Sequence, residues 1–162
     1  MLGQLGDGTF ASRNTPTVVP GLAGVAQLAL GQSHSCARLN GGGLRCWGDN
    51  FFGQLGDGTT TTSPTFVTVQ TLSNIEEIAT GVGHSCARRA NGRMFCWGYN
   101  ASGQLGDGST INRSLPVLSL INTTQIAVGE SGFHSCALRR DGTLRCWGEN
   151  SLAQLGDNVP AN

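Results

Sequence analysis

The sequence predicts an all-β chain made of β-propeller blades, each of four antiparallel strands. Three observations carry this. The segment His-Ser-Cys-Ala recurs at His34, His84 and His134, a fixed spacing of fifty residues, and each copy sets Cys36, Cys86 or Cys136 ten residues before Cys46, Cys96 or Cys146, which Trp-Gly follows. A second motif keeps the period: Gly3-Gln4-Leu5-Gly6-Asp7-Gly8 returns at 53–58 and 103–108, and as Ala153-Gln154-Leu155-Gly156-Asp157-Asn158 in degraded form. Between the motifs lie short β-prone runs, and no window sustains a helical period with caps. A unit of this length with four strands has the arithmetic of a propeller blade.

Taken in order, each unit opens with Thr17-Val18-Val19, Phe66-Val67-Thr68-Val69 or Leu115-Pro116-Val117-Leu118, rich in β-formers and set after a turn. The second strand is predicted at Val25–Leu30, Ile75–Ala79 and Thr124–Val128, ended by Gly31, Gly81 or Gly129. His-Ser-Cys-Ala and the Cys-Trp-Gly segment supply the third and fourth as a hairpin. The chain 1–162 thus reads as one module: repeat 1 at about 3–52, repeat 2 at about 53–102, repeat 3 at about 103–152, and a partial fourth at 153–162.

The hairpin turns, Asn40-Gly41-Gly42, Ala90-Asn91-Gly92 and Arg140-Asp141-Gly142, predict the register. Three-residue loops commonly form a type I turn closed by a left-handed residue, the place Gly holds in all three. Arg89 then faces Arg93, Arg88 faces Met94, Ala87 faces Phe95, and Cys86 faces Cys96. Theirs is predicted to be a non-hydrogen-bonded pair, with Cα atoms about 4.5 Å apart, inside the roughly 4.4–6.8 Å that a disulfide tolerates. Cys36 with Cys46 and Cys136 with Cys146 follow suit.

Composition sets bounds. Formal net charge is zero and charged residues are 12%, every basic side chain being Arg. Wholesale attraction to nucleic acid or to an anionic membrane is not expected, and no apolar run reaches transmembrane length. Met1 leads directly into repeat sequence, so no signal peptide stands in this chain.

The set Gly-Gln-Leu-Gly-Asp-Gly, a following Pro, Gly-x-x-His-Ser-Cys-Ala, Asp-Gly and Trp-Gly-x-Asn resembles the repeat of the regulator of chromosome condensation, over nearly the whole chain. The resemblance implies a propeller of four-stranded blades, usually seven in a closed ring. The cysteine-bearing version is most similar to bacterial and secreted relatives. The family's eukaryotic founder is a nucleotide exchange factor for a small GTPase; nothing here matches its catalytic insertion, so that activity is not carried over. Other relatives are binding platforms, among them a secreted inhibitor of β-lactamases.

Each candidate residue has competing readings. For the cysteines these are three intra-blade disulfides, buried thiols, or a metal site in which His34 and Cys36, two apart on one strand face, join Cys46 opposite. Disulfides are the expectation, and an even cysteine framework points to an oxidising, extracellular or secreted setting. His34, His84 and His134 are expected to be structural and hydrogen-bonded. Adjacent strand residues face opposite ways, so His34 and Ser35 cannot form a nucleophile pair. Trp47, Trp97 and Trp147 are read as blade-to-blade packing. The Gly-rich motif lacks the strand-to-helix setting of a phosphate loop, and Asp57 and Asp107 lack the companions calcium needs. Arginines crowd the Cys hairpins; Arg88, Arg89, Arg93, Arg139 and Arg140 are candidates for binding an anionic partner if the tips share a rim.

Three blades are too few to close a ring, and open edges seek partners; two readings compete, a piece of a longer propeller or a module that self-assembles head to tail. The functional expectation is a non-enzymatic structural or protein-binding scaffold, without cofactor or metal, that binds another protein or itself, head to tail, as a ring or filament oligomer. The alternatives are a regulatory binder of a partner enzyme, inhibitor or exchange-factor-like, and a metal-binding protein using His-x-Cys and the opposite Cys.

Overall fold

The computed structural model describes residues 2–129 and 132–157. Eleven strands and no helix make up the described chain. They are β1 (Val25–Leu30), β2 (His34–Leu39), β3 (Leu44–Gly48), β4 (Ser63–Thr68), β5 (Ile75–Thr80), β6 (His84–Arg89), β7 (Met94–Gly98), β8 (Arg113–Leu120), β9 (Thr123–Val128), β10 (His134–Arg139) and β11 (Leu144–Gly148). They form two four-stranded antiparallel sheets, β1-β2-β3-β4 and β5-β6-β7-β8, and a three-stranded one, β9-β10-β11. These sheets are three blades of a propeller whose ring is not closed. Strands β1, β5 and β9 contact one another in sequence, so they lie innermost.

The outermost strand of a blade comes from the repeat period that follows. β4 pairs with β3 and β8 with β7, both strands reaching across a Gly-Gln-Leu-Gly-Asp-Gly loop. Pro64 and Pro116 sit in these strands, where only one side of the ladder is paired and a missing N–H is tolerated. The strand expected at Thr17–Val19 is absent: its counterparts pair with a preceding Cys-Trp-Gly strand, and the sequence holds none before Thr17. The partial fourth repeat is described only to Asp157, as turns, and Asn158–Asn162 lie outside the described residues.

The hairpin register is the expected one. Arg88 pairs with Met94, Ala87 with Phe95 and Cys86 with Cys96, while Arg89 N donates to Arg93 O and Gly92 N to Arg89 O. Gly92 takes φ of 80°, the left-handed residue that closes the loop. Disulfides join Cys36 to Cys46, Cys86 to Cys96 and Cys136 to Cys146, with Cα atoms 4.1 Å apart in each. Closing such short loops stabilises each blade by about 2–3 kcal/mol in the chain-entropy model.

The core lies between blades. One apolar cluster joins Cys36, Leu44 and Cys46 of blade 1 to Leu55 of the intervening loop and Ile75, Ile78, Ala87 and Trp97 of blade 2. Its counterpart joins Cys86, Met94 and Cys96 to Leu105, Ile126 and Ala137. A blade therefore buries its disulfide against the next blade.

Candidate functional site: the blade joint and its open halves

Each joint is assembled from sequence elements one repeat apart. His34, at the start of β2, points away from Ser35 and towards blade 2, where its Nε2 meets Ser85 Oγ at 2.8 Å. Ser85 Oγ donates to Gln54 O at 2.8 Å. That carbonyl also accepts from Trp97 Nε1 at 2.9 Å. Blade 3 repeats the set, with His84 Nε2 to Ser135 Oγ at 3.0 Å, Ser135 Oγ to Gln104 O at 2.9 Å and Trp147 Nε1 to Gln104 O at 3.0 Å. The loop that leaves one blade thus clamps the hairpin of the next.

The chemistry of the joint follows from its donors. Since Ser85 spends its only proton on a carbonyl, it can offer His34 only a lone pair, so His34 Nε2 carries the hydrogen. The serine is not activated by the histidine. The Nδ1 atoms of His34, His84 and His134 are buried and lack a hydrogen-bond partner among the described residues. Burial pushes His34 down to about 4, against a small opposing pull from Asp49. Burial pushes His84 further, to about 3, and the flanking His34 and His134 add to the effect. All three imidazoles belong to one row across the joints.

The Gly-rich loops owe their shape to residues that the spacing alone does not single out. Asn50 accepts from Leu55 N at 2.9 Å and donates through Nδ2 to the Thr59 and Thr61 carbonyls at 3.2 Å. Asn100 does the same with Leu105 N, Ser109 O and Ile111 O. The signal that could have found them is their recurrence in Trp-Gly-x-Asn. Gly56 does more than turn the chain: a Cβ on it would meet Trp97 Nε1 at 2.6 Å.

The sulfurs of all six cysteines are bonded to each other, leaving no thiolate for a metal. The His-x-Cys metal site considered from the sequence is therefore corrected, and no metal-ligating group of three stands among the described residues. The arginines are divided. Arg88 ion-pairs with Glu76 at 3.0 Å and Glu77 at 2.9 Å, and Glu77 also accepts from Ile126 N of blade 3 at 3.2 Å. Arg139 pairs with Asp141 at 3.1 Å. Arg89 lies 4.8 Å over the Phe95 ring. Arg93 and Arg140 are exposed.

At the two ends of the array the joint is split into halves. Leu144 is 66% exposed, whereas Leu44 and Met94 at the same position are 2% and 0%. Leu28 is 59% exposed, against 4% for Ile78 and 5% for Ile126. Blade 3 presents His134 and Leu144, and blade 1 presents Leu28, with Ser35 and Trp47 held by Gln4 O at 3.0 and 2.9 Å.

Fold and joint define an open propeller array of disulfide-stapled blades. Family models described as the regulator of chromosome condensation (RCC1) repeat match residues 25–54, 75–104 and 124–154 in one form and 1–38, 42–88 and 91–138 in another. The chain belongs to the RCC1 repeat family. Among solved structures, human WBSCR16 matches with a TM-score of 0.74 and 26% identity over 85% of this chain and 37% of that one. The Saccharomyces cerevisiae protein Prp20p, described with binding properties to Gsp1p and histones, matches with 0.70 and 25% over 86% and 36%. The structure of Kap60 bound to yeast RCC1 (Prp20) matches with 0.79 and 22% over 94% and 39%. The chain therefore spans under two fifths of these structures. No curated protein matches it by sequence.

Proposed function

We propose that the chain is a non-enzymatic protein-binding scaffold whose first partner is another set of blades, in the simplest case a second copy joined head to tail. The observation that carries this is the pair of open half-joints: Leu144 and Leu28 are exposed where the same positions inside the array are buried. A copy stacked against the open face of blade 3 would offer Ser35 to His134 and Leu28 to the surface around Leu144, as blade 2 offers Ser85 and Ile78 to blade 1. One loop must yield. Gln4 already occupies Ser35 and Trp47, and Gln154 of the neighbouring copy would claim the same place. The first loop is the weaker holder, since Gln4 and Leu5 are exposed where Gln54 and Leu55 are buried. A relative's partners support a binding role: Prp20p is described as binding Gsp1p and histones. The three disulfides support an oxidising, extracellular setting.

Native mass spectrometry over a range of protein concentrations tests the reading. Dimers or higher rings that Leu144→Asp and Leu28→Asp each abolish are expected. A chain that stays monomeric at every concentration would sink self-assembly.

A further inference from the structure

The end of the molecule away from the hairpin tips carries an aromatic ridge that the blade template does not call for. Phe51 and Phe52 stand 5.0 Å apart, Phe52 and Tyr99 4.6 Å, and Tyr99 and Phe133 5.2 Å between ring centroids. The ridge runs from the loop after β3, over the loop after β7, to the residue before β10, so it crosses three blades. It gathers three of the chain's six phenylalanines and its single tyrosine.

These positions break the repeat that every joint residue obeys. One and two periods away from Phe51 stand Ala101 and Ser151, from Phe52 Ser102 and Leu152, and from Phe133 Gly83 and Ser33. Packing of a blade therefore does not require rings at these places. Gly83 makes room for them: a Cβ there would come within 3.1 Å of Phe52 Cδ2 and 3.3 Å of Tyr99 Cβ. Phe51 is 73% exposed, and its three companions are half-buried. A contiguous aromatic surface of this kind marks an interaction site.

Charge says what the site takes. Tyr99 occupies the variable place of Trp-Gly-x-Asn, and the same place in the flanking blades holds Asp49 and Glu149. Asp49 accepts from Phe51 N at 3.2 Å and from Gln54 Nε2 at 2.9 Å. Glu149, whose backbone N–H donates to Phe133 O at 2.9 Å, accepts from Ser151 Oγ at 3.0 Å, so an acidic residue flanks each end of the ridge. This end also carries Asp57, and its Arg13 and Arg113 are each paired with an aspartate. The opposite end holds the hairpin arginines. Although the net charge is zero, the molecule is polarised, with π faces and carboxylates together at one end. Ring faces attract guanidinium and ammonium groups, and carboxylates pair with them.

We propose that the ridge Phe51–Phe52–Tyr99–Phe133, bracketed by Asp49 and Glu149, docks a cationic, arginine- or lysine-bearing segment of a partner protein. The site lies on the loop end, apart from the open blade faces, and operates whether or not the chain self-associates. The test is fluorescence polarisation with a labelled Arg-Gly-Gly repeat peptide and a Glu-Gly-Gly repeat of equal length. The arginine peptide is expected to bind and the glutamate peptide not to. Phe51→Ala, at an exposed position that leaves the fold intact, and Tyr99→Leu, which keeps apolar bulk but removes the π face, are each expected to weaken binding about tenfold. Glu149→Gln should lower affinity and flatten its salt dependence. Equal binding of both peptides, no binding of the arginine peptide, or full affinity in Tyr99→Leu overturns the proposal. Native mass spectra of the same variants keep this result separate from self-assembly.

Discussion

Ser85 Oγ lies 2.8 Å from His34 Nε2 across the boundary between blades 1 and 2, and both side chains are buried. Ser85→Ala removes the acceptor of a buried imidazole N–H and one of two donors to Gln54 O. An unsatisfied buried donor costs about 1–3 kcal/mol. Ser35→Ala is the internal control, because Ser35 serves only Gln4 O and no histidine faces it among the described residues. Its cost should be about 1 kcal/mol or less. Urea denaturation of the two variants checks the order; equal midpoints would mean that the histidine bond contributes nothing.

The same histidines predict an acid-labile fold. Their folded values, about 4 for His34 and about 3 for His84, lie below the ordinary 6.5. Between these limits the unfolded chain takes up protons that the folded chain refuses, so stability is full above the unfolded value and falls as pH falls. Each histidine should cost about 1.4 kcal/mol per pH unit across that window. Denaturation midpoints measured from pH 7 to pH 4 should decline steadily, and His84→Gln should have a shallower slope than the parent even if its stability at pH 7 is lower.

The disulfides are alike in loop length but not in surroundings. Cys86 and Cys96 are buried between blades 2 and 3, whereas Cys136 and Cys146 are half-buried on the open face of blade 3. Losing either bond removes the same loop-closure term, about 2–3 kcal/mol. The Cys86→Ala/Cys96→Ala pair also leaves a gap in the core, so it should be the more destabilising by about 1 kcal/mol or more. Thermal melts of the two double variants decide it. Intact mass before and after reduction should first show a gain of six hydrogens in the parent.

Much of the fold was legible because the sequence repeats itself. Two cysteines separated by a turn with Gly at its third place leave one register, and the structure adopts it. What the spacing could not show was which blade a residue serves. His34 meets its acceptor in Ser85, 51 residues on. A periodic sequence reads the same whether residue and partner lie in one unit or in adjacent units. Thr17-Val18-Val19 illustrates the related limit: its composition suits a strand, yet a strand at the edge of a blade needs a neighbour that this sequence does not contain. The aromatic ridge was hidden for the opposite reason. Its members sit at unrelated repeat positions, and only the curvature of the array brings Phe52, Tyr99 and Phe133 together.

Gly56 offers the sharpest test of the joint, because the sequence contains its own control. Its φ is 71°, and an added Cβ would meet Trp97 Nε1 at 2.6 Å, the atom that bonds Gln54 O. Gly156 has φ of 66° and nothing within 4 Å. Both substitutions to Ala carry the left-handed backbone penalty, about 1 kcal/mol. Only Gly56→Ala must also push the indole out of the cluster that holds blades 1 and 2 together, bringing the total to roughly 2–4 kcal/mol. Trp97 would lose its carbonyl and gain water, so the tryptophan emission of Gly56→Ala should shift to the red while that of Gly156→Ala stays put. If both variants lose the same stability and keep the parent spectrum, the loop glycine is there for the turn alone, and the clamp of one blade's loop on the next blade's tryptophan is not what holds the joint.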